Sequence, residues 1–148
     1  MNTVIDAGVM IGFLKSTDPH HKDATEAIAI IADAGDGLLL SSVTLAEVLV
    51  GPSRAGESAV SAVLDEIRQI GAVAVVPATE TSARLAARAR ADHPRLGTPD
   101  AMVVAAAREN RAGRILTTDS DFRNVQGAVR LRDFVKSRKT VSRPKPSS

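Results

Sequence analysis

The chain has no cysteine, tyrosine or tryptophan, and only three phenylalanines among its 148 residues. Without cysteine it can form neither disulfides nor thiolate zinc sites, and it suits a reducing cytoplasm. With so few aromatic side chains, any nucleic-acid binding has to use metal ions and basic groups rather than base stacking. No apolar run approaches the roughly 18 residues that span a bilayer. Residues 1–15 lack a basic leader, so we expect no secretory signal and no membrane association.

Positive charge is concentrated at the carboxyl end of the chain. The formal net charge is +2, but residues 136–148 contain five basic residues and no acid. Without them, 14 basic residues face 17 acidic ones, a net charge of about −3. We therefore predict an acidic globular domain over 1–135 and a basic, disordered tail over 136–148. Such a combination suits a metal-binding domain that meets a polyanion.

Short apolar runs alternate with segments of helical periodicity. The predicted strands cover 3–6, 37–42, 72–77 and 114–118, with a further short strand and turn within 128–135. The predicted helices cover 21–34, 55–70, 79–92 and 98–113, with a shorter one that opens at Thr44 and stops at Gly51-Pro52. This alternation predicts an α/β/α sandwich around a parallel sheet of four or five strands.

Acidic residues fall where such a sheet places its ligands, beyond the carboxyl ends of the strands. Asp6 ends the first predicted strand, and Asp119 and Asp121 follow the fourth. Glu47 lies in the helix after the second strand, and Asp100 lies in the first turn of the helix that precedes the fourth. We expect these carboxylates to face the same edge of the sheet.

A group of carboxylates at one edge repels itself unless a cation lies among them. Oxygen ligands without thiolates favour Mg²⁺ or Mn²⁺, and such ions assist phosphoryl displacement by water. Taken singly, an acid such as Asp100 or Asp121 is equally well explained as a cap or turn residue. Asp6 and Glu47 are harder to explain in that way, because both interrupt apolar sequence and a buried acid needs a partner.

Four segments together resemble the PIN-domain family, and within it the VapC toxins of toxin–antitoxin pairs. They are VIDAGVMIGFL, SSVTLAEVLVG, GTPDAMVVAAA and ILTTDSDF, and they occur in the family's order over about residues 1–135. The resemblance implies a PIN-like fold and an Mg²⁺- or Mn²⁺-dependent ribonuclease. The family's acids fall on Asp6, Glu47, Asp100 and Asp119, which would bind the metal, with Asp121 as a further acid.

The resemblance also marks residues around the acids. Thr117 matches a common hydroxyl position that can hydrogen-bond a carboxylate, although an ordinary strand threonine explains it equally well. Gly8 departs from the family, which commonly has serine or asparagine two residues after the first acid. Arg84, Arg88 and Arg95 are candidates for an RNA path, although a solvated helix face is the simpler interpretation.

For partners, the resemblance implies a homodimer, silenced by a small antitoxin whose segment occupies a groove near the acids, and a cytoplasmic location. The alternatives within the family are a non-catalytic RNA-binding module and a nuclease of RNA processing outside any toxin–antitoxin pair. A haloacid-dehalogenase-type phosphatase is disfavoured because it needs a second aspartate where this chain has Gly8. A receiver domain and a flap-type DNA nuclease fit less well, because the third strand lacks a phosphoacceptor and the chain has no room for a helical arch.

Overall fold

The computed structural model describes the backbone of residues 1–142 and the side chains of residues 1–139. Its centre is a five-stranded sheet in which every neighbouring pair is parallel, in the order β3-β2-β1-β4-β5. This confirms the predicted parallel sheet. The strands are β1 (Asn2–Ile5), β2 (Gly37–Ser41), β3 (Val73–Val76), β4 (Arg114–Thr117) and β5 (Ala128–Arg130).

Helices connect the strands, as parallel pairing requires. They are α1 (Ala7–Leu14), α2 (His21–Asp33), α3 (Ser42–Ala55), α4 (Glu57–Gln69), α5 (Glu80–Asp92), α6 (Thr98–Glu109) and α7 (Leu131–Ser142), with a single 3₁₀ turn at Ser120–Phe122. Within residues 1–142, no helix combines the length and the apolar character that crossing a membrane would take.

The sheet separates two hydrophobic cores, because successive side chains of a strand point to opposite faces. Val4 packs into the core beneath α5 and α6, whereas its neighbour Ile5 packs into the core beneath α1, α2 and α7. Ile115 and Leu116 of β4 divide in the same way. Both faces of the central strands are therefore buried, and their polar groups collect at the strand ends.

Helix α3 begins earlier and ends later than predicted. The sequence predicts that Thr44 opens the helix, but the helix begins at Ser42. Ser41 caps it, and the Ser41 hydroxyl accepts a hydrogen bond from the backbone N–H of Val43 at 3.2 Å. Pro52 lies inside the helix, so the predicted stop at Gly51-Pro52 is wrong. The helix ends at Gly56, whose φ of 122° an L side chain rarely adopts. Proline at position 52 removes one hydrogen-bond donor, within a turn of that end.

Helix α6 begins at Thr98, with Gly97 in the cap position. The sequence predicts Thr98 as the cap, but its hydroxyl is engaged by Nη1 of Arg90 at 3.3 Å. Nε of Arg90 donates to the carbonyl of Leu96 at 2.9 Å, so one side chain of α5 holds the turn before α6. Asp100 still falls in the first turn of the helix, as predicted.

Helix α7 runs across the predicted end of the domain. Residues 136–142 are its second half, so the expected disorder does not hold for this part of the tail. The helix continues because Phe134 and Val135 are buried against the core, and Arg138 lies over the Phe134 ring at 5.4 Å. Residues 143–148 of the predicted tail lie outside the described residues.

Candidate active site

Asp6 is the most constrained acid at the carboxyl edge of the sheet. It follows β1 directly, caps α1, and has only 6% of its surface exposed. Its Oδ1 accepts a hydrogen bond from the backbone N–H of Ala7 at 2.8 Å, and its Oδ2 accepts one from the hydroxyl of Thr117 at 2.7 Å. Each carboxylate oxygen has a second lone pair, so Asp6 keeps capacity for another donor or a cation.

Thr117 connects Asp6 to the loop after β4. This fully buried residue donates to Asp6 and accepts from the backbone N–H of Asp119 at 3.0 Å. Oδ1 of Asp119 in turn accepts from the backbone N–H of Asp121 at 2.9 Å, which orients the Asp119 carboxylate. The structure therefore gives Thr117 the hydrogen bond to a carboxylate that its position in the sequence suggests.

Burial is the largest influence on the pKa of Asp6 and raises it. The hydrogen bonds from Thr117 and Ala7 lower the pKa in part, and the charge of Asp119 raises it again. Desolvation raises the pKa by more than the two hydrogen bonds lower it, because a buried anion loses most of its hydration. Asp6 thus lacks a positive partner in the described part of the chain.

Glu47 lies on the β2 side of β1, whereas Thr117 and Asp119 lie on the β4 side. It lies in the second turn of α3, directly after β2, and its side chain is largely exposed. Partial burial raises its pKa, and the charge of Asp6 raises it further. Because the charge of Asp6 affects the pKa of Glu47, the Glu47 carboxylate lies within electrostatic reach of the end of β1.

Asp100 is the acid on which the charges of the other three all act. Its pKa is raised to about 7, first by burial and then by the charges of Asp6, Asp119 and Glu47. A hydrogen bond with the carboxyl group of Asp119 also favours the protonated form. The four acids that the sequence singled out thus lie within electrostatic reach of one another at the edge of the sheet.

A divalent cation fits the chemistry of this acid cluster (Asp6, Glu47, Asp100 and Asp119). All of its side-chain donors are carboxylate oxygens, the ligands that Mg²⁺ and Mn²⁺ prefer. The pKa values of three of them are raised first by burial and then by the charges of the other acids, and a cation would offset both effects. Within residues 1–142, however, no three acidic or histidine side chains lie close enough together to coordinate an ion as they stand. Binding would require some of these carboxylates to move inward.

The remaining predicted site residues lie around this cluster. Asp121 is half buried and lines a cavity together with Arg95, on the far side of the loop after β4. Arg84 and Arg88 lie on the exposed face of α5, where each forms an ion pair one helical turn away, with Glu80 at 3.3 Å and Asp92 at 3.2 Å.

Sequence reasoning assigns no role to Thr118, which is the last residue of the fourth predicted strand. A Cβ atom at Gly8 would overlap the hydroxyl oxygen of Thr118, so this hydroxyl fills the space beside the first turn of α1. A serine at position 8 would compete for the same space. The signal that could have identified Thr118 was Gly8 itself, which leaves room for a hydroxyl from a neighbouring segment.

The comparisons agree with this architecture. The family model of the PIN domain matches residues 3–128 of the chain. No curated protein sequence matches it.

Solved structures match over most of their length. A toxin–antitoxin complex from Klebsiella pneumoniae has 21% identity and a TM-score of 0.66, over 86% of this chain and 95% of that one. VapC20 from Mycobacterium tuberculosis, described as a toxin that cleaves the sarcin–ricin loop, has 19% identity and a TM-score of 0.64, over 82% and 92%. VapBC2 from Rickettsia felis, bound to a promoter DNA fragment, has 12% identity and a TM-score of 0.65, over 88% and 97%. At these identities the likeness concerns the fold.

Proposed function

The chain belongs to the PIN-domain family, and we propose from this membership and its acid cluster that it is a metal-dependent endoribonuclease of the VapC type. The observation that carries the proposal is the placement of Asp6 and Asp119 at one edge of the sheet, connected through the buried Thr117 by hydrogen bonds of 2.7 and 3.0 Å. The charges of Glu47 and Asp100 are coupled to this pair. A fold supports many chemistries, so the function has to rest on this site. The similar structures include toxin–antitoxin complexes and a toxin that cleaves the sarcin–ricin loop, which is consistent with the proposal.

The four acids would hold Mg²⁺ or Mn²⁺, with Asp121 assisting from the adjoining loop. Such an ion, when bound, lowers the pKa of water and stabilises the negative charge that develops on phosphate oxygens. The chain itself fixes Asp6 through Ala7 and Thr117 and thereby sets the position of one carboxylate in advance. In the metal-free protein the pKa of Asp100 is raised to about 7, and a bound cation would lower this pKa by stabilising the carboxylate.

Asp6→Asn tests the proposed reaction. Asparagine can still cap α1 and can donate to the Thr117 hydroxyl, so we expect the fold to persist while one ligand charge is lost. We expect RNA cleavage in Mg²⁺ or Mn²⁺ to be abolished, as it should be by excess EDTA in the unmodified protein. The readout is cleavage of total cellular RNA, resolved at the nucleotide level.

Asp65→Asn is the matched control for this experiment, because Asp65 is exposed on α4 and pairs only with Arg68, at 3.4 Å. It should cleave RNA at the unmodified rate. Cleavage by Asp6→Asn at that same rate would show that the proposed site is wrong.

An apolar groove next to Glu47 fits a segment of a cognate antitoxin. This groove has a volume of about 440 Å³. Its walls come from α1, α3 and α4 and include Ile11, Leu14, Val48, Pro52 and Val63, with Glu47 among them. We propose that this groove binds an apolar antitoxin segment, with a basic side chain of the antitoxin directed at the negative charge of Glu47.

Coexpression of the antitoxin should then suppress cleavage, and Val63→Glu should weaken the complex. Full suppression and unchanged binding with that variant would place the antitoxin elsewhere.

We further propose that the protein is a homodimer and acts in the cytoplasm, where RNA and antitoxin are available. Light scattering at high concentration measures the oligomeric state directly. A strictly monomeric protein would contradict the dimer without affecting the nuclease proposal.

A further inference from the structure

Two neighbouring cavities flank the loop that follows Asp119. One has a volume of about 410 Å³ and lies between this loop, β5 and the start of α7. The other, of about 340 Å³, lies between the loop and the turn after α5. Both are lined by Ser120 and Arg123, so these two loop residues border both cavities. We refer to the two cavities together as the loop groove.

The loop groove adjoins the acid cluster through Thr117. This residue lines the larger cavity and also donates to Asp6. Its register partner on the neighbouring strand is Arg130, which lines the same cavity. Neighbouring strands lie about 4.8 Å apart, so the base of the Arg130 side chain lies one strand away from the residue that holds Asp6.

Three arginines of the loop groove are available to a ligand. Arg95, Arg123 and Arg130 are exposed, and none of them forms an ion pair within the described residues. Arg84 and Arg88 of α5, by contrast, form exposed ion pairs with Glu80 and Asp92.

Acids also line the loop groove, namely Asp92, Asp121 and Asp133. None of the three lies within 4.0 Å of Arg95, Arg123 or Arg130 among the described side chains. The three guanidinium groups therefore keep their charge available at a surface that leads to the acid cluster.

We propose that the loop groove binds the phosphodiester backbone of single-stranded RNA next to the acid cluster, with Arg123 at its centre, Arg130 nearest the acids and Arg95 at the far end. Guanidinium groups match phosphate oxygens in charge and in geometry. They also offset the repulsion between the RNA and the four acids. The inference rests on the proposed ribonuclease function and adds the substrate path to it.

The test measures binding separately from cleavage. Full-length Asp6→Asn protein in EDTA is titrated into a fluorescently labelled single-stranded RNA at 50 to 200 mM salt, and anisotropy gives the affinity. For single strands, the slope of log affinity against log salt is negative, and each lost phosphate contact reduces its magnitude by about 0.7. Adding Arg123→Gln and Arg130→Gln together should reduce the magnitude of the slope by about 1.4 and lower the affinity at 50 mM salt by about 10- to 50-fold.

Arg84→Gln, made in the same background, is the control for loss of positive charge. It removes one positive charge from an exposed, paired position, so the slope should stay unchanged. A slope whose magnitude falls equally with Arg84→Gln would overturn the inference, because the RNA would then respond to net charge or follow α5. An unchanged slope in the double variant, with its circular dichroism spectrum retained, would overturn it as well.

Cleavage separates this inference from the function on which it rests. The Arg123→Gln/Arg130→Gln protein with Asp6 intact should show a raised KM in Mn²⁺, with kcat less affected. Cleavage with an unchanged KM would overturn the loop groove and leave the nuclease proposal standing. RNA binding that weakens as expected, in a chain that never cleaves RNA, would support the groove and overturn the nuclease proposal.

Discussion

Asp100→Asn should stabilise the metal-free protein at alkaline pH. The pKa of Asp100 is about 7 in the folded state, against an ordinary value of 3.8. The folded state therefore binds the proton more tightly than the unfolded state. It follows that stability falls as the pH rises from about 4 to 7 and stays low above that range. Asparagine carries no charge at any of these pH values and escapes this loss.

The size of the effect follows from three contributions. A shift of about three units corresponds to roughly 4 kcal/mol, because each unit is 1.36 kcal/mol. Asp100 is only partly buried, so solvent screening reduces this figure to about 1–2 kcal/mol. Loss of a negative charge from the first turn of α6 costs about 0.3–1 kcal/mol. The net gain should therefore be about 1 kcal/mol, or roughly 2–4 °C in Tm for a chain of this size.

Thermal denaturation in EDTA and low salt, at pH 5 and pH 8, measures this gain. We expect Asp100→Asn to raise Tm at pH 8, with a smaller rise at pH 5. Added Mn²⁺ should reverse the order of the two proteins, because the variant has lost a ligand. A variant that is less stable than the unmodified protein at pH 8 in EDTA would refute the reasoning, since Asp100 would then be stabilised in its charged form.

Two other changes test the surroundings of Asp6. Thr117→Val removes the hydroxyl between Asp6 and the loop after β4, so urea denaturation should show a loss of about 1–3 kcal/mol. RNA cleavage should fall by about 10- to 100-fold, and Thr117→Ser should restore most of both; no effect of valine would mean that the hydroxyl is dispensable. Gly8→Ser should lower the unfolding free energy by about 1–2 kcal/mol through crowding against Thr118. Adding Thr118→Ala should recover it, and a double variant as unstable as Gly8→Ser would show that another contact is responsible.

The positions of the acids could be predicted because they depend on patterns of short range. An apolar run such as TVI marks a buried strand, and in a parallel sheet all strands end at the same edge. That is enough to place Asp6 and Asp119 at the same edge. Their closeness also requires β1 and β4 to be neighbours in the sheet, and the sequence does not predict this strand order.

The features that could not be predicted depend on contacts between distant segments. Thr98 has the chemistry of a helix cap, but Arg90 of the preceding helix engages its hydroxyl. Thr118 stands beside α1 only because Gly8, 110 residues earlier, leaves space for it. The ion pairs of Arg84 and Arg88 have helical spacing, but nothing in the sequence shows that Arg123 lies between two cavities.

The four acids are held in place to different degrees, and this difference bears on how a cation would bind. Asp6 and Asp119 are connected through the buried Thr117 and accept backbone hydrogen bonds, so their carboxylates are oriented before any ion arrives. Glu47 has no such hydrogen bond among the described residues, and both Glu47 and Asp100 are coupled to the other acids through charge. Mutual repulsion keeps like charges apart, which agrees with the finding that no three described carboxylates converge as they stand. A cation bound first by the oriented pair would remove that repulsion, so Glu47 and Asp100 should be the acids that move.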